Sequence, residues 1–383
     1  MKIAQQIFHD GRLQEQPLRE MATLNPQLVL VFGSAAAMAQ PAMHPILRRV
    51  FADAHLMGCS TAGEIAQDKV FDGACVVTAI GFQDTTLRLA TRSVMTMEES
   101  FVRGQELGRE LNDPELRGIV LLCKGVEVNG SAVIQGVVGE IGHGIPVTGG
   151  LAGDGGAFHR TWVLNDDGVT DTGIVGLGLY GGAIRIGHGS KGGWESFGPA
   201  RRVTRCQGNL LYELDGEPAL NIYKKYLGDY AKDLPASGLL FPFEMLGSDH
   251  SRLGLIRTIL GIDETTGGLV LAGDIDPEGY LRLMHASTDA LVNGAEIAAQ
   301  STRQRIQGSA SGLAILVSCV GRKLVMGDHV DEEVEVVREA LAAGTVIAGF
   351  YSYGEIGPLA GTTECRLHNQ TMTITFLTET GKG

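Results

Sequence analysis

Cysteine is sparse and scattered in this sequence. Its six cysteines, Cys59, Cys75, Cys123, Cys206, Cys319 and Cys365, lie far apart and none forms a CxxC pair. That argues against a zinc knuckle and a covalent haem attachment site, and fits reduced, buried thiols. No run of lysine and arginine occurs, and the formal net charge is −13, so the surface repels nucleic-acid phosphates and anionic membrane. No uninterrupted apolar run approaches the ~18 residues of a spanning helix. The longest candidate, 173–187, is glycine-rich and carries Arg185. The opening residues, MKIAQQIFHDGRLQEQP, lack the apolar core of a signal peptide. These absences predict a cytoplasmic protein with neither nucleic acid nor membrane as partner.

Glycine is what the chain has in excess, 54 of 383 residues, and the glycines cluster where apolar runs end. They mark tight turns and close backbone approach. The apolar share of 44% and charged share of 20% are globular values, and the length predicts two to three domains. QLVLVF, bounded by Pro26 and Gly33, reads as a buried strand, 41–53 as a helix, and 55–59 and 74–82 as strands. The order recurs as strand 118–123, helix 131–142 and strand 145–150. It recurs again as strand 313–319, helix 331–343, with an acidic first turn that suits the helix dipole, and strand 345–350. Each unit closes on a similar tail: GCSTAGEI from Gly58, GGLAGDG from Gly149 and GFYSYGEI from Gly349. This internal repeat of strand–helix–strand units predicts a mixed α/β fold. Glu64, Asp154 and Glu355 then sit at strand ends, where α/β folds place ligands. Between the units, 173–187 alternates like a β-hairpin, and 269–283 reads as two strands around a DPEG turn. The stretch 199–227 reads as a strand, a turn at Gly216 and a helix, and 288–305 as a helix. Two lobes built from the repeated units with added β-hairpins, joined near 228–240, fit this pattern.

Two GxGxxG strings, 176–181 and 187–192, lack the following helix that a dinucleotide site needs, and read as structural. The phosphate-loop, helical zinc-protease and nucleophile-elbow signatures are missing, so no reaction is indicated and the chain is not expected to be an enzyme. Ser60 lies in GCSTAG with no identifiable base, as a turn residue or a pocket wall. Glu64 and Glu355 could do acid–base work, hold a ligand amine, or bond local N–H groups. No pair of the ten histidines has the spacing of a compact zinc site, but one neutral imidazole is enough for haem iron. His188, among the open glycines of RIGHGSKGGW, and His368, in RLHNQTMTITF, are candidates from their surroundings, and each is otherwise a hydrogen-bonded histidine. Cys319 ends a buried strand in CVGRK. As a thiolate beside Arg322 it could ligate haem or metal; otherwise it is a buried thiol next to a solvated arginine.

The tails, together with the segments 149–181, 192–228, 269–284 (LVLAGDIDPEGYLRLM), 318–327 (SCVGRKLVMG) and 365–376 (CRLHNQTMTITF), resemble the FIST family of bacterial sensory domains over about residues 20–378. The resemblance implies a two-part sensor, with an N-terminal FIST domain over 20–228 and a C-terminal FIST domain over 229–383. It implies a small ligand, with amino acids proposed for the family. No output domain is present in the sequence, which implies signalling in trans. Stand-alone chains of this layout are similar to nitric-oxide-sensing NosP-type proteins, which implies haem b, nitric oxide as signal and a histidine kinase as partner. His188 and His368 are then the candidate iron ligands, with Cys319 and Arg322 as further cofactor candidates. The alternative is a metabolite sensor without haem. Ser60, Glu64, Asp154 and Glu355 would line its pocket, the carboxylates meeting an ammonium, and Arg322 with glycine-tail N–H groups meeting a carboxylate. A homo-oligomer is compatible with both.

Overall fold

Along strand Leu28–Ser34, Leu28, Leu30 and Phe32 alternate with Val29 and Val31, and both sets are buried. A strand with two buried faces reads as a continuous apolar run because neither face can be polar. One face looks into the centre of the molecule; the other lies under helix Met43–Val50. That helix crosses over to strand His55–Thr61, which pairs in parallel with the first, while Cys75–Gly81 pairs antiparallel on the other side. This computed structural model describes residues 1–306, 311–359 and 361–380.

The same unit is built twice more. Leu116–Cys123 pairs in parallel with Val147–Leu151 across helix Gly130–Ile141, with Gly173–Tyr180 antiparallel. Leu313–Cys319 pairs in parallel with Val346–Ser352 across helix Asp331–Ala340, with Met372–Glu379 antiparallel. Each unit opens on an outer strand, Lys2–Phe8, Thr86–Ser93 or Ile184–Lys191, and a further helix, Glu15–Ala22, Ser100–Leu111 or Thr288–Ile306. The chain is a mixed α/β protein, and the repeat expected from the sequence is a threefold one.

Each six-stranded sheet is completed by a hairpin from another unit. Glu64–Ala66 with Lys69–Phe71 follows the first unit's parallel pair but joins the third unit. Gly354–Pro358 with Cys365–His368 leaves the third unit and joins the second. Val163–Asn165 with Gly168–Thr170 leaves the second and joins the first. The exchange is a closed ring. The inward faces meet in one core, where Phe32 and Phe350 pack with ring centroids 4.8 Å apart. Burial of each such side chain contributes roughly 1.5–3 kcal/mol.

Gly58, Gly149 and Gly349 explain part of the glycine excess. They occupy one equivalent position, where a Cβ would lie 2.0 Å from the carbonyl oxygen of Val31, Leu121 and Leu316 respectively. Only glycine lets the parallel strands run this close.

Residues 173–187 do not form the expected hairpin. Gly173–Tyr180 closes the second unit and Ile184–Lys191 opens the third, in a different sheet. Alternation along both strands reflects burial within two separate sheets. After Ile184–Lys191 the chain leaves the body and builds an insert, an antiparallel sheet from Glu195–Gln207 to Tyr280–His285 covered by helix Ala219–Leu227. The insert has its own core, including Leu211, Tyr223, Phe243 and Leu269. Body and insert are two lobes, and residue 228 lies inside the insert. Strands Gly268–Leu271 and Tyr280–His285 flank the DPEG turn as expected, each pairing with other neighbours. No described helix is long and apolar enough to cross a membrane.

Candidate functional site

The three tails interlock where the sheets meet. Ala62 N donates to Tyr351 O at 2.8 Å, Gly153 N to Ser60 O at 2.8 Å, and Tyr353 N to Leu151 O at 3.3 Å. These are equivalent bonds in the three units. Ser60 adds its side chain, donating to Gly153 O at 2.7 Å and accepting from Trp162 N at 2.8 Å. It is a strand residue, not the turn residue expected from the sequence, and it ties two units together.

The carboxylates of the tails turn inward. Glu64 accepts from Thr61 Oγ1 and, at 2.9 Å, from Ala74 N. Glu355 accepts from Ser352 Oγ at 2.8 Å and from Thr371 N and Oγ1 at 3.0 and 2.9 Å. Burial raises both to about 7, against the lowering effect of these donors. Of the roles open to them in sequence, bonding local donors is the one the geometry shows. Asp154 differs. Burial pushes its pKa up, but the Tyr353 hydroxyl and the N–H groups of Arg160, His159 and Phe158 outweigh that and hold it below the usual range.

Arg322 is fully buried, so it is not a solvated partner of Cys319. Its Nη2 meets Glu333 Oε2 at 2.5 Å and Leu291 O at 3.0 Å, and its Nη1 donates to Gly192 O. Ser318 and Tyr351 hydroxyls complete the Glu333 shell. The cluster clamps helices Val320–Met326, Asp331–Ala340 and Thr288–Ile306 onto the third sheet.

Haem does not fit the proposed ligands as they are packed. The space expected around His188 is filled by helix Thr288–Ile306: a Cβ on Gly189 would lie 2.2 Å from Ala298 O. His368 Nε2 already faces Gly357 O at 3.0 Å inside a hairpin. Burial lowers both imidazoles to about 4, so they are neutral. Burial also pushes the Cys319 thiol well up, away from the thiolate that would bind iron. Among the described residues no group of three or more His, Cys, Asp or Glu side chains is placed to hold a metal ion.

The space for a ligand lies elsewhere. A cavity of about 290 Å³ opens between the second unit and the insert. Its floor is the Phe158 ring stacked on Tyr353, with centroids 3.9 Å apart and planes 13° from parallel. One wall is the loop 125–130 with Leu151 and Leu367; the other is the insert's Leu260 and 270–274. Asn129 and Asn209 supply polar edges, and both hold local backbone: Asn129 Oδ1 accepts from Ala132 N at 3.1 Å, and Asn209 Nδ2 donates to Leu271 O at 2.9 Å. Of the residues singled out in sequence, Asp154 alone touches this site, beneath the floor through the Tyr353 hydroxyl. Ser60, Glu64, Glu355, His188, His368, Cys319 and Arg322 are not walls of it. Tyr353 stands within the tail GFYSYGEI, while Phe158 lies three residues beyond the tail GGLAGDG, so one tail pointed toward the site, through its aromatic rather than its carboxylate.

Comparison with known proteins identifies the family. Residues 27–217 match the FIST N domain and 219–358 the FIST C domain. The chain is 26% identical over 355 residues to an uncharacterized protein of Mycobacterium bovis, covering 89% of this chain and 88% of that one. It is 29% identical over 224 residues to an uncharacterized protein of Mycobacterium tuberculosis, 57% of each. Among solved structures it is similar to cyanuric acid hydrolase from A. caulinodans, with 8% identity and a TM-score of 0.39 over 99% of each chain.

Proposed function

Since the chain belongs to the FIST family, whose domains are signalling-associated sensors, we propose that it senses a small molecule held in the cavity between the second unit and the insert. The observation that carries this is that the cavity joins two bodies with separate hydrophobic cores. A ligand touching both walls favours one arrangement of body and insert over another, and a partner protein reads the difference. A mostly apolar wall with a few placed polar groups is the usual make-up of such sites. The partner is a protein acting in trans, with a histidine kinase as the class implied by the resemblance. No catalytic step is assigned.

Thermal unfolding of the full chain against a metabolite panel tests the reading, with Val128→Trp, which fills the cavity, alongside. One selective ligand should raise the melting temperature of the wild type by several degrees, as binding to the folded state requires. Val128→Trp should fold and lose that shift. A flat panel, or equal shifts in both proteins, removes the proposal.

Haem-based detection of nitric oxide is the second reading. In its favour, His188 and His368 are both held as neutral imidazoles, the form that binds iron. It requires one of their strands to open. A Soret band at one haem per chain that moves with nitric oxide, and is lost in His188→Ala or His368→Ala, would support it; no specific band would remove it.

A further inference from the structure

Arg257 ends strand Arg252–Arg257 of the insert and is only 5% exposed. Its Nε donates to Asp274 O at 3.0 Å, and its Nη1 to Ile256 O at 3.1 Å and Leu367 O at 3.3 Å. All three acceptors are neutral carbonyls. Among the described residues no carboxylate is in ion-pair contact with Arg257, and its Nη2 has no acceptor. Arg322, equally buried, is by contrast neutralised by Glu333. A buried cation with no direct ion pair, helped from a distance by the Asp274 carboxylate, is costly to keep. Burial lowers the Arg257 pKa only to about 10, so the group stays charged at neutral pH.

The chain is shaped around this guanidinium. Gly273 passes over it with φ +122, and a Cβ there would lie 3.0 Å from Nε. Arg257 is also a wall of a second cavity, of about 200 Å³, which shares Asp274 and Leu367 with the first. Arg366 lines it too, but its charge is taken by Glu364. Helix Gly130–Ile141 begins between the two spaces: Gly130 is a wall of the first and Ser131 of the second. The free N–H groups of a first helical turn favour an anion on that side.

We propose that the sensed molecule is an organic acid with an apolar body and one carboxylate, the body lying on the Phe158–Tyr353 stack and the carboxylate on Arg257 Nη2. The proposal rests on the ligand-sensing reading above and names its ligand class. Asp274, a wall of both cavities, disfavours a second negative charge on the ligand.

Calorimetric titration of the full chain with matched pairs tests it: phenylacetate against phenylacetamide, and isovalerate against isovaleramide. In at least one pair the acid should bind about tenfold or more tightly than its amide, the usual gain of a charge-assisted hydrogen bond. Arg257→Met should abolish the difference and Arg257→Lys should keep part of it. Should Arg257→Met fail to fold, the acid–amide comparison on the wild type still decides. Equal binding of acid and amide overturns the carboxylate assignment and leaves the sensing cavity standing. Binding by no member of either pair overturns this proposal, while the metabolite panel still judges the cavity.

Discussion

Phe158 and Tyr353 stack face to face at 3.9 Å, although one belongs to the second unit and the other to the third. The Tyr353 hydroxyl accepts from the N–H groups of Asp154, Gly156 and Phe158 at 3.0–3.2 Å and donates to the Asp154 carboxylate. One phenol thus holds both the stack and the turn beneath it. Tyr353→Phe keeps the ring and removes the hub. It should lower stability by about 1–3 kcal/mol, the cost of stranding buried polar groups, and let the Asp154 pKa rise toward its usual value. Urea unfolding and an NMR titration of Asp154 measure the two effects.

Breaking the Arg322–Glu333 pair on one side leaves an unpaired charge in a place water does not reach. Arg322→Met alone should cost about 3–5 kcal/mol. Adding Glu333→Leu should recover a substantial part of that, because the stranded carboxylate goes too. A double-mutant cycle by chemical denaturation reads this directly; a double variant as unstable as the sum of the two singles would contradict it.

Stability should respond to pH through two opposed sets. Glu64 and Glu355 stand at about 7 in the fold against an ordinary 4.5, so they withdraw stability as pH rises through that window. His188 and His368 stand at about 4 against an ordinary 6.5, so they withdraw stability as pH falls through theirs. Between about 4.5 and 6.5 the sets oppose each other. Replacing both histidines with glutamine should make the protein gain stability on acidification relative to wild type, on the order of 2 kcal/mol for each histidine across the window. Glu355→Gln should tilt the profile the other way. Urea midpoints across the window measure both.

Gly349→Ala places a methyl group 2.0 Å from Leu316 O, between two strands that cannot separate without opening the core. It should cost at least about 1–3 kcal/mol, the range for overpacking. Gly182→Ala, with no heavy atom within 4 Å of the new Cβ, should fall within about 1 kcal/mol of wild type. Thermal melts of the two variants give the contrast.

The sequence made the three parallel pairs legible because each is a run such as QLVLVF or LAILVSC, buried on both faces and closed by a glycine tail. It also placed helices Gly130–Ile141, Asp331–Ala340 and Thr288–Ile306 to within a few residues. The partners of the outer strands were not legible. Gly173–Tyr180 and Ile184–Lys191 alternate in the same way whether they pair together or part into two sheets. The candidate site was legible only in part. A carboxylate at a strand end looks the same in sequence whether it awaits a ligand or is spent on Thr371, as Glu355 is. Arg257 gave no signal, because its lack of a direct ion pair is a fact about space: only the folded chain shows that its hydrogen bonds go to carbonyls and that Asp274 acts on it without touching it.

The ring of exchanged hairpins sets a timetable for biosynthesis. Residues 64–71 emerge early, yet the strand that receives them, Val346–Ser352, is made almost three hundred residues later. Until then the first unit's hairpin has an open edge, and the second unit's sheet lacks the edge that 354–368 will supply. Contacts this distant form slowly and leave strands exposed to wrong neighbours. The nascent chain therefore carries unpaired strand edges for most of its translation. A nonsense mutation just ahead of residue 354 would leave two sheets incomplete, the second without its 354–368 hairpin and the third without Met372–Glu379, not one domain missing from an otherwise sound molecule.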